Sequence, residues 1–135
     1  MKIVIFTDGA SRGNPGKSAS GYMVLAGTEK HMDIIFNGVA TNNFAEYKAI
    51  EAALSYAIGK YGPNNKFVLF SDSKLVVNQI KGAYKVKSNE LKKEYEKVIE
   101  MIKGVSSFEI YHTRRSNENI SLVDKAINEY LDAHK

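Results

Sequence analysis

The stretch from Ile3 to Gly16 constrains the fold of this chain more than any other part of the sequence. Ile3 to Phe6 is a run of β-branched and aromatic residues, which is typical of a strand buried on both faces in the middle of a sheet. Asp8 ends that run, and the residues after it are rich in glycine and include nothing apolar larger than alanine. This composition predicts an open loop whose backbone can approach a ligand closely. Asp8 is then either a metal-binding carboxylate at a strand end or the first residue of a tight turn.

The composition narrows the class of protein. The chain has 135 residues, 44% of them hydrophobic and 25% charged, so we expect a single globular domain over residues 1–135. It contains no cysteine, which excludes disulfides and thiolate metal sites and favours a cytoplasmic location. We find no signal peptide and no stretch that could cross a membrane, so we expect no membrane association. The net charge of +4 permits a polyanionic partner, and we expect a monomer because the predicted elements leave no exposed apolar stripe.

The pattern of apolar residues predicts an α/β domain with the element order βββαβααβα. Short links between the first three strands predict an antiparallel meander with the first strand innermost. The fourth strand follows a helix, so it should lie parallel to the first strand, with the fifth strand beyond it, in a five-stranded mixed sheet of order 3-2-1-4-5. The predicted strands are Ile3–Phe6, Ala19–Ala26, His31–Val39, Lys66–Phe70 and Ser107–His112, and the predicted helices run from about Asn43 to Ile58, Lys74 to Ile80, Ser88 to Lys103 and Ser121 to Ala133.

Four acidic residues fall near the ends of these predicted elements. Asp8 and Asp72 each follow the last apolar residue of a central parallel strand, so they should lie side by side, where such sheets bind ligands. Glu46 and Asp124 lie on the buried stripes of the first and last helices, each close to the helix start. All four side chains should therefore point at one rim of the sheet.

Each acid also has a purely structural interpretation. Glu46 stands three residues after Asn43, which is the spacing of a capping box, and Asp72 precedes a helix as cap residues do. Asp124 could complete a first-turn cap or oppose the helix dipole. Four packed carboxylates, however, would raise one another's pKa unless cations neutralised them. Oxygen ligands without histidine or cysteine suit Mg²⁺ or Mn²⁺, and two such ions about 3.5–4 Å apart would activate water and stabilise the leaving oxygen of a phosphodiester.

Four motifs occur in order over nearly the whole chain, and the first two are specific. They are Thr7-Asp8-Gly9-Ala10-Ser11 with Gly13-Asn14-Pro15-Gly16, Thr41-Asn42-Asn43-Phe44-Ala45-Glu46, Ser71-Asp72-Ser73, and Asp124-Lys125-Ala126. In these motifs the chain resembles type 1 ribonuclease H, the endonuclease that cuts the RNA strand of RNA/DNA hybrids. The family's ribonuclease H-like fold has a five-stranded mixed sheet with helices on both faces, which agrees with the predicted element order.

The resemblance implies the roles of the motif residues. The catalytic and metal-binding acids would be Asp8, Glu46, Asp72 and Asp124, holding two Mg²⁺ ions or Mn²⁺ as a substitute, with Gly9 at the same metal site. The minor groove of the hybrid would be contacted by Gly9, Ser11, Asn14, Asn42 and Asn43. Asparagine offers both a donor and an acceptor to ribose 2′-hydroxyls, which distinguish RNA from DNA, although capping and turn formation also explain these asparagines.

The sequence departs from the family pattern around two of the acids. Lys74 replaces the usual glutamine after the Asp-Ser pair and cannot accept a hydrogen bond, so a base contact there would become a phosphate contact or be lost. The loop before Asp124 lacks the histidine of many bacterial members, and His112 either replaces it or is structural. Arg115 either holds a phosphate or is surface charge. Asn119 lies one residue farther from Asp124 than in the family, so the extra residue should be taken up before the last helix begins.

The connection after the second helix also differs from that of some relatives, which carry a longer basic handle with tryptophan. Here Lys85 and Lys87 lie beside Tyr84 and either follow a nucleic-acid backbone or form a solvated helix connection.

The leading hypothesis is a metal-dependent endonuclease that hydrolyses the RNA strand of RNA/DNA hybrids by a two-metal-ion mechanism, leaving 5′-phosphate and 3′-hydroxyl ends. One alternative keeps the fold but cuts double-stranded RNA or RNA–DNA junctions. Another is an inactive hybrid-binding module, which a misplaced Asp124 would favour.

Overall fold

A computed structural model describes residues 1–134 as one five-stranded sheet with four helices. The elements are β1 (Lys2–Gly13), β2 (Gly16–Ala26), β3 (Glu29–Ala40), α1 (Asn42–Tyr61), β4 (Lys66–Ser71), α2 (Lys74–Lys81), α3 (Asn89–Lys103), β5 (Ser107–His112) and α4 (Glu118–Ala133). The sheet order is β3-β2-β1-β4-β5. β1, β2 and β3 pair antiparallel, whereas β1, β4 and β5 pair in parallel. The predicted element order and sheet topology are confirmed.

Apolar side chains on both faces of the sheet hold the helices in place. Alternation along β1 sends Ile5 toward α1 and Phe6 toward α4. Gly21 of β2 lets α4 lie close to the sheet, because a Cβ at this position would come within 2.8 Å of the Val123 side chain. The sheet therefore separates the two helices that carry predicted acids. Within residues 1–134, no helix has the length and apolar character needed to span a bilayer.

β1 continues farther than the sequence pattern predicts. The expectation that Asp8 ends the strand and begins an open loop is wrong, because β1 stays paired with β2 as far as Gly13 and Gly16. The parallel pairing with β4, in contrast, ends at Thr7 and Ser71. Asp8 therefore lies where β1 has lost one neighbouring strand and kept the other, which opens space beside it at the carboxyl end of β4.

The caps of α1 and α2 differ from the alternatives drawn from the sequence. Thr41, not Asn43, caps α1, since its hydroxyl accepts a hydrogen bond from the backbone at 3.2 Å. Ser73 does the same for α2 at 3.3 Å. Glu46 then lies in the second turn of α1, beyond the capping-box position, and Asp72 lies before the cap of α2. Neither acid is needed to begin its helix.

α4 begins one turn earlier than predicted. Asn117 caps it, and its side-chain oxygen accepts hydrogen bonds from the backbone amides of Asn119 and Ile120 at 3.0 and 3.2 Å. The helix therefore starts before Ser121. Asn119 lies inside the helix, and the expectation that the extra residue would be taken up before the helix is wrong. Asp124 is in the second turn, which removes the first-turn cap as its explanation.

The edge strand β3 exposes apolar side chains, which corrects the reason given for a monomer. Met32, Phe36 and Val39 are 43%, 45% and 72% exposed. Single exposed apolar residues are common on soluble proteins, so the monomer itself stays a prediction.

Two glutamates, the buried Glu94 and the half-buried Glu51, join α1 to α3. Glu94 forms ion pairs with Lys48 at 2.9 Å and Lys97 at 3.3 Å. Glu51 lies 3.4 Å from Lys48, and its buried Oε2 has no hydrogen-bond partner among the described residues. Burial and then the neighbouring Glu94 raise the pKa of Glu51 to about 7. Burial opposes the shift of Glu94, but the neighbouring Glu51 and Lys48 lower its pKa, so Glu51 holds the proton.

Glu51→Gln should therefore change how stability depends on pH. The raised pKa means that protonated Glu51 stabilises the fold at low pH, and this contribution is lost as the pH rises through about 7. Glutamine can donate a hydrogen bond at every pH, so the variant should match wild type near pH 4, below the ordinary pKa of the carboxyl, and exceed its free energy of unfolding near pH 9 by at most about 3 kcal/mol. Urea unfolding at both pH values measures the difference, and parallel pH profiles would contradict the assignment.

Candidate active site

Three of the four predicted acids meet at the carboxyl end of β4, where its pairing with β1 stops. One carboxylate oxygen from each of Asp8, Glu46 and Asp72 lies within 4.8 Å of the other two. The three residues belong to β1, to α1 and to the segment between β4 and α2, so only the folded chain brings them together. Asp8 and Glu46 are buried, and the side chain of Asp72 is 8% exposed.

Glu46 and Asp72 line a cavity of about 380 Å³ with a polar lining, and Asp8 lies directly behind them. Predicted site residues in the lining include Gly9, Ser11, Asn42, Asn43, Arg115 and Asp124. Asn128 also lines the cavity, although the sequence analysis did not single it out, and its place one helical turn after Asp124 was the available signal. A larger cavity of about 940 Å³ lies between α1 and α3, but the clustered oxygen ligands identify the smaller one as the candidate site.

A single backbone amide orients two of the acids. The Gly9 amide donates to Glu46 Oε1 at 2.8 Å and to Asp8 Oδ1 at 2.9 Å. The Ser71 hydroxyl donates to Glu46 Oε2 at 3.4 Å, a site contact that the sequence analysis missed. A Cβ at Gly9 would lie 2.5 Å from the carbonyl carbon of Ala45. Only glycine therefore lets β1 come close enough to α1 for its amide to reach Glu46.

The charges of the three acids oppose one another. Burial, and then the charges of Glu46 and Asp72, raise the pKa of Asp8 far above its ordinary value. Burial and the Asp72 charge also raise the pKa of Glu46. Asp8 Oδ2 is buried and has no hydrogen-bond partner among residues 1–134. Clustered oxygen donors, raised pKa values and a free buried oxygen fit a divalent cation that takes the place of protons.

Asp124 and Arg115 lie beside this group of three. Asp124 lines the same cavity but does not belong to the three acids whose oxygens lie within 4.8 Å of one another. The Arg115 Nε donates to Asp72 Oδ2 at 2.9 Å. That hydrogen bond raises the pKa of Arg115 above its already high ordinary value. Arg115 is thus a direct neighbour of the acids and not an isolated surface charge.

The predicted groove residues join the tip of the β1–β2 hairpin to the start of α1. Asn42 Oδ1 accepts hydrogen bonds from the Ser11 amide at 2.9 Å and from its hydroxyl at 3.0 Å. Asn14 Oδ1 accepts a hydrogen bond from the backbone amide of Asn42 at 3.0 Å. Asn43 lies in the cavity lining. These contacts use the amide oxygens of Asn14 and Asn42, and the side-chain NH₂ groups, which are donors, are not part of them.

The remaining predicted residues are not in the lining of the cavity. Lys74 is exposed at the first position of α2, and Lys85 and Lys87 are exposed between α2 and α3. His112 is exposed at the end of β5 and is not among the residues that line the cavity. The structure therefore brings four acids, the glycine and the asparagines to one place and leaves the three lysines at its periphery.

Comparison with known proteins identifies this arrangement. The family model described as RNase H matches residues 1–127. The bifunctional protein Rv2228c of Mycobacterium tuberculosis is 45% identical over 100 residues, which cover 70% of this chain and 26% of that protein. Ribonuclease HI of Halobacterium salinarum is 36% identical over 97% of this chain and 65% of its own length. The chain therefore spans about a quarter and about two thirds, respectively, of these relatives.

Solved structures show the same fold. The crystal structure of RNase H1 from Halobacterium salinarum superposes with a TM-score of 0.87 at 33% identity, covering 98% of this chain and 99% of that one. LC11-RNase H1, solved in complex with an RNA/DNA hybrid, gives a TM-score of 0.82 at 31% identity over 96% of this chain and 99% of that one.

Gly9→Ala should disturb the junction of β1 and α1. The added Cβ would meet backbone atoms at 2.5–2.7 Å, so we expect a loss of about 1–3 kcal/mol in the free energy of unfolding. Gly59→Ala is the matched control, because Gly59 lies in α1 with nothing within 4 Å of its Cβ and alanine there should be neutral or stabilising by up to about 1 kcal/mol. Urea unfolding measures both, and equal effects of the two substitutions would contradict the close approach at Gly9.

Proposed function

The chain belongs to the RNase H family, and on that premise we propose that it is a metal-dependent endonuclease that hydrolyses the RNA strand of RNA/DNA hybrids. The products would carry 5′-phosphate and 3′-hydroxyl ends. The observation that carries the proposal is the convergence of Asp8, Glu46 and Asp72 within 4.8 Å at a polar cavity. The hybrid bound by LC11-RNase H1, a relative with the same fold, supports the substrate class.

The acids would hold divalent cations, Mg²⁺ in the first instance with Mn²⁺ as a substitute. Asp8 and Glu46 present buried oxygens that the Gly9 amide orients, and Asp72 and Asp124 complete the oxygen donors around the cavity. Two bound cations would supply the positive charge that activates water and stabilises the leaving oxygen. The chain's contribution is to keep the carboxylates oriented and packed so that little rearrangement is needed.

The asparagines would identify the RNA strand. Asn42 and Asn43 lie in the cavity lining beside the acids, and Asn14 adjoins them through its contact with Asn42. Their side-chain NH₂ groups and the neighbouring backbone offer hydrogen bonds to ribose 2′-hydroxyls, which DNA lacks. Contact with the 2′-hydroxyls next to the acids would place the RNA strand, rather than the DNA strand, at the site of cleavage.

Positive groups around the cavity would hold the phosphates. Arg115 uses Nε for Asp72, while its side chain is 66% exposed, so the rest of the guanidinium is open to a phosphate. Lys74, Lys85 and Lys87 lie farther out on α2 and on the connection to α3. Lysines in such positions contribute sequence-independent, salt-dependent binding to the hybrid backbone.

Cleavage of a labelled hybrid tests the proposal. A 5′-labelled RNA annealed to DNA should be cut in Mg²⁺ or Mn²⁺ and not in EDTA, whereas single-stranded RNA, double-stranded RNA and double-stranded DNA should stay intact. Asp72→Asn should lower the cleavage rate by about 10²–10³-fold, as expected when a charge-stabilising group is removed from an active site. Gel analysis of the products gives the rate and, by comigration with standards, the chemistry of the new ends.

The matched control is Asp33→Asn, which removes an exposed acid on β3 outside the cavity lining and should leave the rate unchanged. Cleavage of double-stranded RNA at a similar rate would mean that the enzyme is not specific for RNA/DNA hybrids. A folded wild type that binds hybrid without cutting it in either metal would overturn the proposal in favour of a binding module.

Metal binding should also release protons. The pKa values of Asp8 and Glu46 are raised in the folded chain, so these carboxyls retain protons at pH values where free carboxyls do not. A cation must displace those protons, so the affinity for Mn²⁺ should rise between about pH 6 and pH 8, by as much as about tenfold per pH unit for each proton released. Titration calorimetry in buffers of different ionisation enthalpy measures the release, and heats that are independent of both buffer and pH would contradict it.

A further inference from the structure

We propose that Arg12 is a positioning residue that sets the place of Asp124 through α4, an inference that rests on the function proposed above. Arg12 lies near the tip of β1 and reaches across to α4, where its Nη1 donates to Asp132 Oδ1 at 2.8 Å. Its Nη2 donates to Asn128 Oδ1 at 3.1 Å and to the Asn128 carbonyl at 3.3 Å. One planar guanidinium thus holds two residues that are one helical turn apart on α4.

Asn128 connects this contact to the candidate active site. Its Nδ2 donates to the Asp124 carbonyl at 3.0 Å, while its Oδ1 accepts from Arg12. Both ends of the Asn128 amide are therefore engaged, and Asn128 lines the same cavity as Asp124. The path from the hairpin to the fourth acid is Arg12, then Asn128, then the backbone of Asp124.

Asp124 needs such positioning more than the other acids do. Asp8 and Glu46 share the Gly9 amide, whereas Asp124 lies outside the group of three whose oxygens are within 4.8 Å. α4 packs on the sheet through apolar side chains, and apolar contacts are not directional. The apolar stripe of α4 fixes which face of the helix meets the sheet, and hydrogen bonds then refine the rotation of α4 and with it the place of Asp124.

Those directional contacts occur at both ends of α4. Near its start, the Ser121 hydroxyl donates to the Arg115 carbonyl at 2.9 Å. Arg12 makes its contacts near the other end, at Asn128 and Asp132. Asp124 lies between these two attachments, so the loss of one should let its carboxylate move relative to the other acids.

The same hairpin is also attached to α1. Asn42 of α1 accepts from the Ser11 amide at 2.9 Å, and its own amide donates to Asn14 at 3.0 Å. The hairpin tip therefore joins the helices that carry Glu46 and Asp124, although these helices lie on opposite faces of the sheet. On the α4 side, Arg12 attaches to Asn128 and Asp132 within the helix, whereas Lys17 of the same hairpin reaches the carbonyl of His134, the residue that follows the helix.

The contact is suited to positioning because it adds little to overall stability. The Arg12 and Asp132 side chains are 40% and 59% exposed, and exposed ion pairs contribute little to the free energy of unfolding. The effect of Arg12 on Asp124 can therefore be measured in a protein that remains folded.

Three variants test the proposal: Arg12→Gln, Arg12→Lys and the control Lys17→Gln, which removes a hairpin lysine whose contact is the His134 carbonyl at 3.1 Å. Both Arg12 variants should weaken Mn²⁺ binding in calorimetry by about 10-fold, the range found when residues that orient metal ligands are changed. Their kcat on the hybrid should fall by about 10-fold or more with KM nearly unchanged, because a displaced catalytic group affects the chemical step. Lys17→Gln should behave as wild type.

A double-variant cycle identifies the residue through which Arg12 acts. In an Asp124→Asn background, Arg12→Gln should have no further effect on Mn²⁺ affinity. A persisting effect would overturn the proposal, as would a lower melting temperature with unchanged metal affinity. A third contrary result would be an Arg12→Gln variant with a raised KM that Arg12→Lys restores to the wild-type value, and with a slope of hybrid affinity against salt that is smaller by about 1. Such a result would mean that Arg12 contacts a phosphate. If wild type fails to cut hybrid, the proposed function fails, but the Mn²⁺ measurements still test the positioning role.

Discussion

The close approach of β1 to α1 at Gly9 is the contact on which the candidate site depends. A side chain there would overlap the backbone at Ala45, and its absence lets one amide serve both Asp8 and Glu46. Bringing carboxylates this close in a buried place raises their pKa values and leaves Asp8 Oδ2 without a hydrogen-bond partner among the described residues. The protein thus maintains an electrostatically unfavourable group that a divalent cation would relieve, and the packing of two regular elements holds it together.

The sheet also separates the two helices that carry Glu46 and Asp124. Glu46 reaches the site from α1 on one face, and Asp124 reaches it from α4 on the opposite face. The β1–β2 hairpin extends beyond the end of β4 and contacts both helices there. The backbone and short side chains of the hairpin reach α1, and the long side chain of Arg12 reaches α4. The site therefore lies where β1 extends beyond the end of its parallel neighbour β4.

The sheet order could be predicted because it follows from alternation, link length and the handedness of crossovers. The end of β1 could not be predicted, because a polar, glycine-rich segment forms a strand only if a partner strand pairs with it. Here β2 pairs with β1 as far as Gly13 and Gly16. The cap of α1 could not be chosen from the sequence for a related reason. Thr41 and Asn43 are both suitable caps by residue type, and only the path of the chain into α1 decides between them.

The sequence by itself determined which residue types meet at the site and from which elements they come. Asp8 and Asp72 each follow the apolar run of a strand and Glu46 lies on a helix stripe, and the directions of these elements follow from local periodicity. Only the tertiary structure decided the distances. It placed Asp124 beside the group of three rather than within it, set Arg115 against Asp72, and joined Arg12 to α4. Those relations span 43 residues for Arg115 and 120 for Arg12, and no local pattern encodes a contact between segments that far apart, because it depends on how the helices pack on the two faces of the sheet.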